Sequence, residues 1–439
     1  MDTLISNVTL VTMNEKMDIL FGAYLAVTDG KISYIGKTAP DGQPQIIIDG
    51  TGMVAMPGLI NCHTHLPTSI LRNFLDDANK VDVLKQLLAR QSKIDERAGR
   101  AAIRLAIAEC LRFGVTSVSD LYYSPEITAE IAVDVGIKAN IALAASRFVD
   151  DSEDFDFDAD PGCQALVRAV EKWHNYDNGR IKIDAGIHAE YTSNHKLWES
   201  LSAYAAEKGL GLQMHLAETT EEVADCEERT GLTPAELLSC HGVFGVPVTA
   251  TTCSCLTENE QKTLGKYKAT AVAIPVGCAK QGYPSTPITA CAKAGMNVAL
   301  GTDSAVASGS LDMFEAMRFA ALQARQAGGD ADALPAAACL MMATVCGAKA
   351  QGRTAECGML KEGMDADIIL VDFSAPHLIP CHNILSSLVF STKGGDVAMT
   401  MVRGKILYQN GRFPTMDLNA VVSEIMEYAI GKVMEKEEV

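Results

Sequence analysis

Basic charge is scarce in this sequence. Lys and Arg number 37 against 55 Asp and Glu, a formal net charge of −18. A surface that acidic repels phosphate backbones and anionic lipid, so neither a nucleic-acid polymer nor a membrane is an expected partner. Long apolar runs are also missing: none reaches the roughly 18 residues of a membrane span. The opening Met1-Asp2-Thr3-Leu4-Ile5-Ser6-Asn7 lacks the basic and apolar segments of a signal peptide. The 13 cysteines are odd in number and scattered, unlike the dense framework of a small disulfide-stapled domain. There is no internal repeat and no low-complexity segment. We therefore expect a reduced, cytoplasmic protein that acts on a small molecule, and we expect it to assemble as a homo-oligomer.

What is present is ordinary globular composition. The chain has 439 residues, 48% hydrophobic and 21% charged, enough to bury a large core without staples. The first 60 residues read as β, with Asp29-Gly30 as a hairpin turn between Ala23 to Val27 and Ile32 to Ile35. From Leu59 onward, short β stretches alternate with amphipathic helical ones. Strands are expected at Leu59 to Cys62, Thr116 to Ser119, Lys138 to Leu143, Ile181 to Ile187, Gly211 to His215, Val246 to Thr251, Ala269 to Ile274 and Asn297 to Gly301. Eight such units over about 250 residues is the count and size of a (β/α)8 TIM-type barrel. After helical stretches at Leu311 to Arg325 and Leu334 to Lys349, β character returns at Asp367 to Val371, Met399 to Val402 and Lys405 to Tyr408. The expected fold class is thus α/β. Residues 58–359 would form the barrel, 1–57 and 360–413 a small β-sandwich built from both chain ends, and 414–439 a C-terminal helix.

Side chains able to carry chemistry fall at strand ends. In His63-Thr64-His65 the imidazoles are two residues apart and share one face of a strand. They would point together at the carboxyl end of the first barrel strand, where barrel active sites lie. Two neutral imidazoles on one face make half of a divalent metal site, although two nearby histidines are more often hydrogen-bonded structural residues. His188, His215 and Asp303 also follow β stretches. Singly each could cap or pack, but four of the nine histidines and an aspartate at strand ends are hard to assemble from unrelated causes. Glu218, three residues past His215, is either a base that moves protons or a first-turn glutamate favoured by the helix dipole.

Three segments carry a resemblance: Pro57-Gly58-Leu59-Ile60-Asn61-Cys62-His63-Thr64-His65, His215-Leu216-Ala217-Glu218-Thr219 and Leu300-Gly301-Thr302-Asp303. Together they resemble the amidohydrolase superfamily. Within it the chain is most similar to the branch of methylthioadenosine/S-adenosylhomocysteine deaminases and triazine chlorohydrolases. Leu311 to Arg318 and Gly363-Met364-Asp365-Ala366-Asp367 belong to the same pattern. The resemblance implies a metal-dependent hydrolase that removes ammonia from an amino-substituted heterocycle, with dechlorination or another C–N hydrolysis as the alternative. It implies one divalent ion per chain, zinc first and iron second, on His63, His65, His215 and Asp303. Glu218 and Asp303 would be the catalytic acid and base groups, and His188 a substrate contact.

Departures from the family pattern carry as much information. Where the family has a sixth-strand histidine that holds water, Ala250-Thr251-Thr252-Cys253 places Thr252. On the seventh strand a His-Asn-Pro pattern is replaced by Ala273-Ile274-Pro275. Glu190 replaces the proline of a His-x-Pro-Tyr pattern at His188-Ala189-Glu190-Tyr191. An acidic ribose contact aligns near Gln91, Arg147 matches one substrate arginine, and the other has no counterpart near Cys163-Gln164. Gln91, Arg147 and Thr252 thus join His188 as substrate-side residues. A pocket short of these polar groups implies a different substrate, a differently held water, or a barrel that binds a ligand with little turnover.

Overall fold

The computed structural model describes residues 1–74, 76, 80–147 and 155–434. The chain begins with β1 (Thr3–Val11), β2 (Ile19–Thr28), β3 (Lys31–Gly36), β4 (Ile46–Asp49) and β5 (Met53–Pro57). The barrel strands follow: β6 (Leu59–Thr64), β7 (Val115–Tyr122), β8 (Lys138–Leu143), β9 (Ile181–Ile187), β10 (Leu212–Leu216), β11 (Val248–Thr252), β12 (Thr270–Ala273) and β13 (Asn297–Leu300). Then come β14 (Ile368–Asp372), β15 (Val397–Val402) and β16 (Lys405–Gln409).

Strands β6 to β13 lie side by side in sequence order, every pair parallel. Helices cover the outer face, so these strands are buried on both sides, and β6, β8 and β10 are buried at every residue. Between β13 and β6 the closure is made largely by side chains. Asn61 Oδ1 accepts from Thr302 N at 3.0 Å, Asn61 Nδ2 donates to Thr302 Oγ1 at 2.6 Å, and Asp303 N donates to His63 O at 2.9 Å. Gly301 lets this seam close, since a Cβ there would sit 2.9 Å from both His63 N and His63 Cβ.

The amino-terminal mouth is stoppered. Arg353 is wholly buried and donates to the carbonyls of Ala139, Gly179 and Arg180 and to Asn140 Oδ1. Gln351 bonds Ser117 and Ser119 beside it. The carboxyl-terminal mouth, where the strand-end histidines lie, is the one left for a site.

Both chain ends contribute to one further sheet, in the order β16-β15-β14-β5-β1-β2-β3. It branches at β1, which pairs with β4 along Thr3 to Ser6 and with β5 at Thr9 and Leu10. The sheet folds on itself, so that Leu25, Val27 and Ile32 share an apolar core with Ile368, Leu370, Met399 and Met401. The two layers expected of a sandwich are therefore halves of one continuous sheet.

Two helical stretches differ from the sequence pattern. The run Leu334 to Lys349 splits into Ala336–Met342 and Val345–Ala350. Thr344 breaks it at φ −132°, ψ −87°, its hydroxyl turned back onto Leu340 O at 2.6 Å. The closing helix, expected within 414–439, runs as Leu418–Glu424, a π-helical turn Ile425–Ala429 and Ile430–Met434. The turn seats Ile425 and Ala429 against Ala98 and Ala101. Residues 435–439 of that segment lie outside the described residues. Among the described residues, no helix is long and apolar enough to cross a membrane.

Candidate active site

His63 is the penultimate residue of β6, His65 lies just beyond the strand, and His215 projects from β10. Their rings are 4.8 Å apart (His63–His65), 4.8 Å (His63–His215) and 5.4 Å (His65–His215) between centroids. One nitrogen from each lies within 4.8 Å of the others. The second ring nitrogens set the orientation. His65 Nδ1 is 2.6 Å from Leu121 O and His215 Nδ1 is 2.8 Å from His188 O. A carbonyl only accepts, so both Nδ1 atoms are the donors in these bonds. His63 Nδ1 bonds the Thr251 hydroxyl at 3.0 Å, and its Nε2 is buried with no hydrogen-bond partner.

Burial, followed by repulsion from the neighbouring imidazoles, holds the His63 ring well below its usual pKa. Burial pushes His65 and His188 down to about 3. Asp303 Oδ1 lies 3.5 Å from His65 Nε2 and 4.0 Å from His63 Nε2. With the rings neutral, these contacts are not ion pairs. An unpaired buried ring nitrogen costs roughly 1–3 kcal/mol, and lone pairs facing a buried carboxylate leave a place that a cation suits. The donor set of three imidazoles and one carboxylate fits one divalent ion.

Several strand ends here turn through left-handed backbone. Ala217 (φ 48°), Thr252 (75°), Cys253 (51°) and Asp303 (61°) all have positive φ without being glycine. Each such residue costs about 1–3 kcal/mol, and such strain gathers where side chains must be aimed. Glu218 follows Ala217, and Thr252 Oγ1 donates to its Oε1 at 3.4 Å. Burial, and then the Asp303 charge, raise the Glu218 carboxyl above its usual range.

His188 stands beside His215, ring centroids 5.0 Å apart, with a buried Nδ1 that lacks a partner. Thr252 occupies the end of β11, fully buried. Among the described residues, the histidine nearest to it in sequence, His241, lies elsewhere. His241 caps the helix Pro234–Cys240 and bonds Glu199 at 2.8 Å, stacked 5.1 Å from His195. Gln91 ends the helix Lys80–Gln91. Arg147 pairs with Asp160, the residue that caps the helix Pro161–Trp173. Glu190 is buried and accepts from Arg229 Nη2 at 2.7 and 3.0 Å, so the residue standing in for proline ties the turn after β9 to the helix Thr220–Thr230.

Sequence reasoning missed the supports. Asp120, on β7, accepts from Leu66 N at 2.8 Å and from the hydroxyls of Thr64 (3.3 Å) and Thr128 (3.1 Å). It thereby holds both neighbours of His65, and burial pushes its carboxyl up to about 6. Glu222 accepts from Ala217 N and Glu218 N, with its carboxyl pushed up to about 7 by burial. The Thr-x-x-Glu spacing of Thr219 and Glu222 was the available signal.

The chain matches the amidohydrolase family model over residues 54–407. It is 33% identical over 430 residues to a 5-methylthioadenosine/S-adenosylhomocysteine deaminase of Thermoanaerobacter pseudethanolicus, covering 98% of this chain and 99% of that one. It is 33% identical over 429 residues to a 5′-deoxyadenosine deaminase of Methanosarcina mazei, covering 98% of each. A crystal structure of an adenosine deaminase from Xanthomonas campestris with bound zinc superposes with a TM-score of 0.91 at 28% identity, covering 97% of both chains. Barrel, histidine cluster and full-length similarity agree, and the chain belongs to the amidohydrolase family.

Proposed function

We propose that this amidohydrolase is a hydrolytic deaminase of an amino-substituted heterocycle, purine nucleosides first among them. The observation that carries the reading is the convergence of three imidazole nitrogens, the Asp303 carboxylate and Glu218 at one barrel mouth. His63, His65, His215 and Asp303 would hold one divalent ion, zinc first and iron second. Bound there, the ion supplies Lewis acidity toward water.

The chain's residues do the rest. Glu218 and Asp303 move protons, taking them from the attacking water and delivering them to the ring and to the departing amine, so that water and the amino compound become the oxo compound and ammonia. Burial keeps both carboxyls in a place where a proton can be held as well as released. His188 offers its unpartnered Nδ1 to the substrate. Gln91 and Arg147 contact the part of the substrate remote from the amine. Arg147 does so from a guanidinium already paired with Asp160, which weakens its hold on an anionic group and favours neutral substrates. The relatives' names support an adenosine-like nucleus. We further place the protein in the cytoplasm as a homo-oligomer, with no nucleic-acid or membrane partner.

Glu218→Gln keeps the size of the side chain and removes the base. Ammonia release from 5′-methylthioadenosine or another responsive amino heterocycle should fall roughly 10²-fold or more, with metal content unchanged. Near-normal turnover by this variant would return Glu218 to an ordinary helix-start residue.

A further inference from the structure

The pattern Thr-x-x-Glu opens three helices here: Thr219 to Glu222, Thr233 to Glu236 and Thr257 to Glu260. In each, the threonine hydroxyl accepts from the glutamate's own amide, at 3.1, 3.3 and 3.3 Å. In the second and third, the glutamate carboxylate returns to the threonine amide, Glu236 at 3.2 Å and Glu260 at 2.6 Å. Those are reciprocal capping boxes, and Glu260 also accepts from the Thr233 hydroxyl, which links the third box to the second.

Glu222 does something else. Its carboxylate passes over the Thr219 amide and accepts from Glu218 N at 2.6 Å and Ala217 N at 3.1 Å. These two amides belong to the turn that leaves β10, not to the helix. Ala217 sits there at φ 48°, a conformation that costs an L-residue about 1–2 kcal/mol and persists only where its surroundings impose it. Both carboxylate oxygens of Glu222 are used, one per amide, in a nearly buried place. With one oxygen on each amide, the carboxyl group fixes the direction of both N–H groups at once. Released from them, the turn would relax towards ordinary backbone, and the Glu218 carboxylate would swing away from Thr252 Oγ1.

We infer that Glu222 is a positioning residue for Glu218, fixing the strained Ala217-Glu218 turn so that the proton-moving carboxylate faces the metal cluster. This rests on the role given to Glu218 above, and the test separates the two. Wild type, Glu222→Gln, Glu218→Gln and the double variant are compared after zinc loading, with 5′-methylthioadenosine as the probe. Glutamine offers one carbonyl to two amides and should still fold. Glu222→Gln should lower kcat about tenfold, with KM and zinc content changed by no more than roughly twofold. On top of Glu218→Gln it should have little effect, under about twofold, because the two residues act as one unit.

A tenfold loss that persists in the Glu218→Gln background would overturn the inference, as would an unchanged kcat for Glu222→Gln alone. Near-normal turnover by the Glu218→Gln single variant would instead remove the role of Glu218. Amide hydrogen exchange at Ala217 and Glu218, measured without substrate, decides the clamp independently. Exchange faster by about tenfold in Glu222→Gln supports it, and unchanged exchange overturns it.

Discussion

The Nδ1 atoms decide what the three clustered histidines can do. Each is occupied, by Leu121 O, His188 O or the Thr251 hydroxyl, and each ring therefore turns Nε2 inward. The period of two in a strand makes the pairing of His63 and His65 legible in the sequence. Their tautomers are not legible, because the acceptors lie 56 and 27 residues away from His65 and His215. Thr252 was legible as a departure, and its geometry sharpens the consequence. A β-branched residue at φ 75° is strained, whereas histidine tolerates that region better. A threonine hydroxyl is also a weaker donor than an imidazolium to charge developing on oxygen. Adenosine-type substrates should accordingly turn over slowly in the unmodified protein. Thr252→His should raise kcat/KM on 5′-methylthioadenosine by about tenfold. A lower or unchanged value at full metal content would show that Ile274 or Gln91 limits these substrates instead.

At the scale of elements, the seam between β13 and β6 carries the site. The eight-unit alternation was enough to predict the barrel, and Leu300-Gly301-Thr302-Asp303 marked its last strand end. The reciprocal bonding of Asn61 and Thr302 across 241 residues leaves no local trace, so the closure was invisible. Gly301→Ala places a methyl 2.9 Å from His63 N and Cβ, and overpacking of that kind costs about 1–3 kcal/mol. The strain falls on a metal ligand, so zinc affinity measured with a competing chelator should drop by about tenfold or more. Unchanged affinity in the folded variant would mean that His63 is not held by the seam. The Thr344 break and the continuous end sheet were missed for a related reason. A hydroxyl bonding back onto Leu340 and a strand with partners on both edges are decided by neighbours, not by periodicity.

The whole molecule is held together by a buried charge cluster where barrel meets end sheet. Lys138, fully buried on β8, lies 2.8 Å from Asp365 and 2.6 Å from Asp367, and Asp365 also pairs with Lys31 and Arg403. The Gly363 to Asp367 segment was legible as a family pattern, but its lysine partners, more than 200 residues away, were not. Burial alone would raise the Asp365 carboxyl, yet the Lys138 ammonium and the hydrogen bonds from Lys138 and Lys31 hold it well below the usual range. A depressed carboxylate stabilises the fold above its unfolded pKa of about 3.9 and loses that contribution as pH falls towards the folded value. Burial alone would lower the Lys138 ammonium, but the Asp367 and Asp365 carboxylates shift it up, so its contribution holds below about pH 10.4 and fades above. This cluster should therefore give no pH dependence of stability between about pH 5 and 9. Asp365→Asn should lower the unfolding free energy by roughly 3–5 kcal/mol in denaturant titrations, and a loss under about 1 kcal/mol would reduce the cluster to a minor contact. The barrel mouth is the proposed metal-dependent deaminase centre. The direct measurement is ammonia release from a panel of purine nucleosides, nucleobases, pterins, pyrimidines and triazines, run on metal-loaded protein, chelator-stripped protein and the His63→Ala, His65→Ala variant. The account predicts release from at least one amino heterocycle by the loaded protein, loss on stripping, recovery with zinc or ferrous iron, and none from the variant. Full metal occupancy with no release from any member, or equal release from the variant, would contradict it.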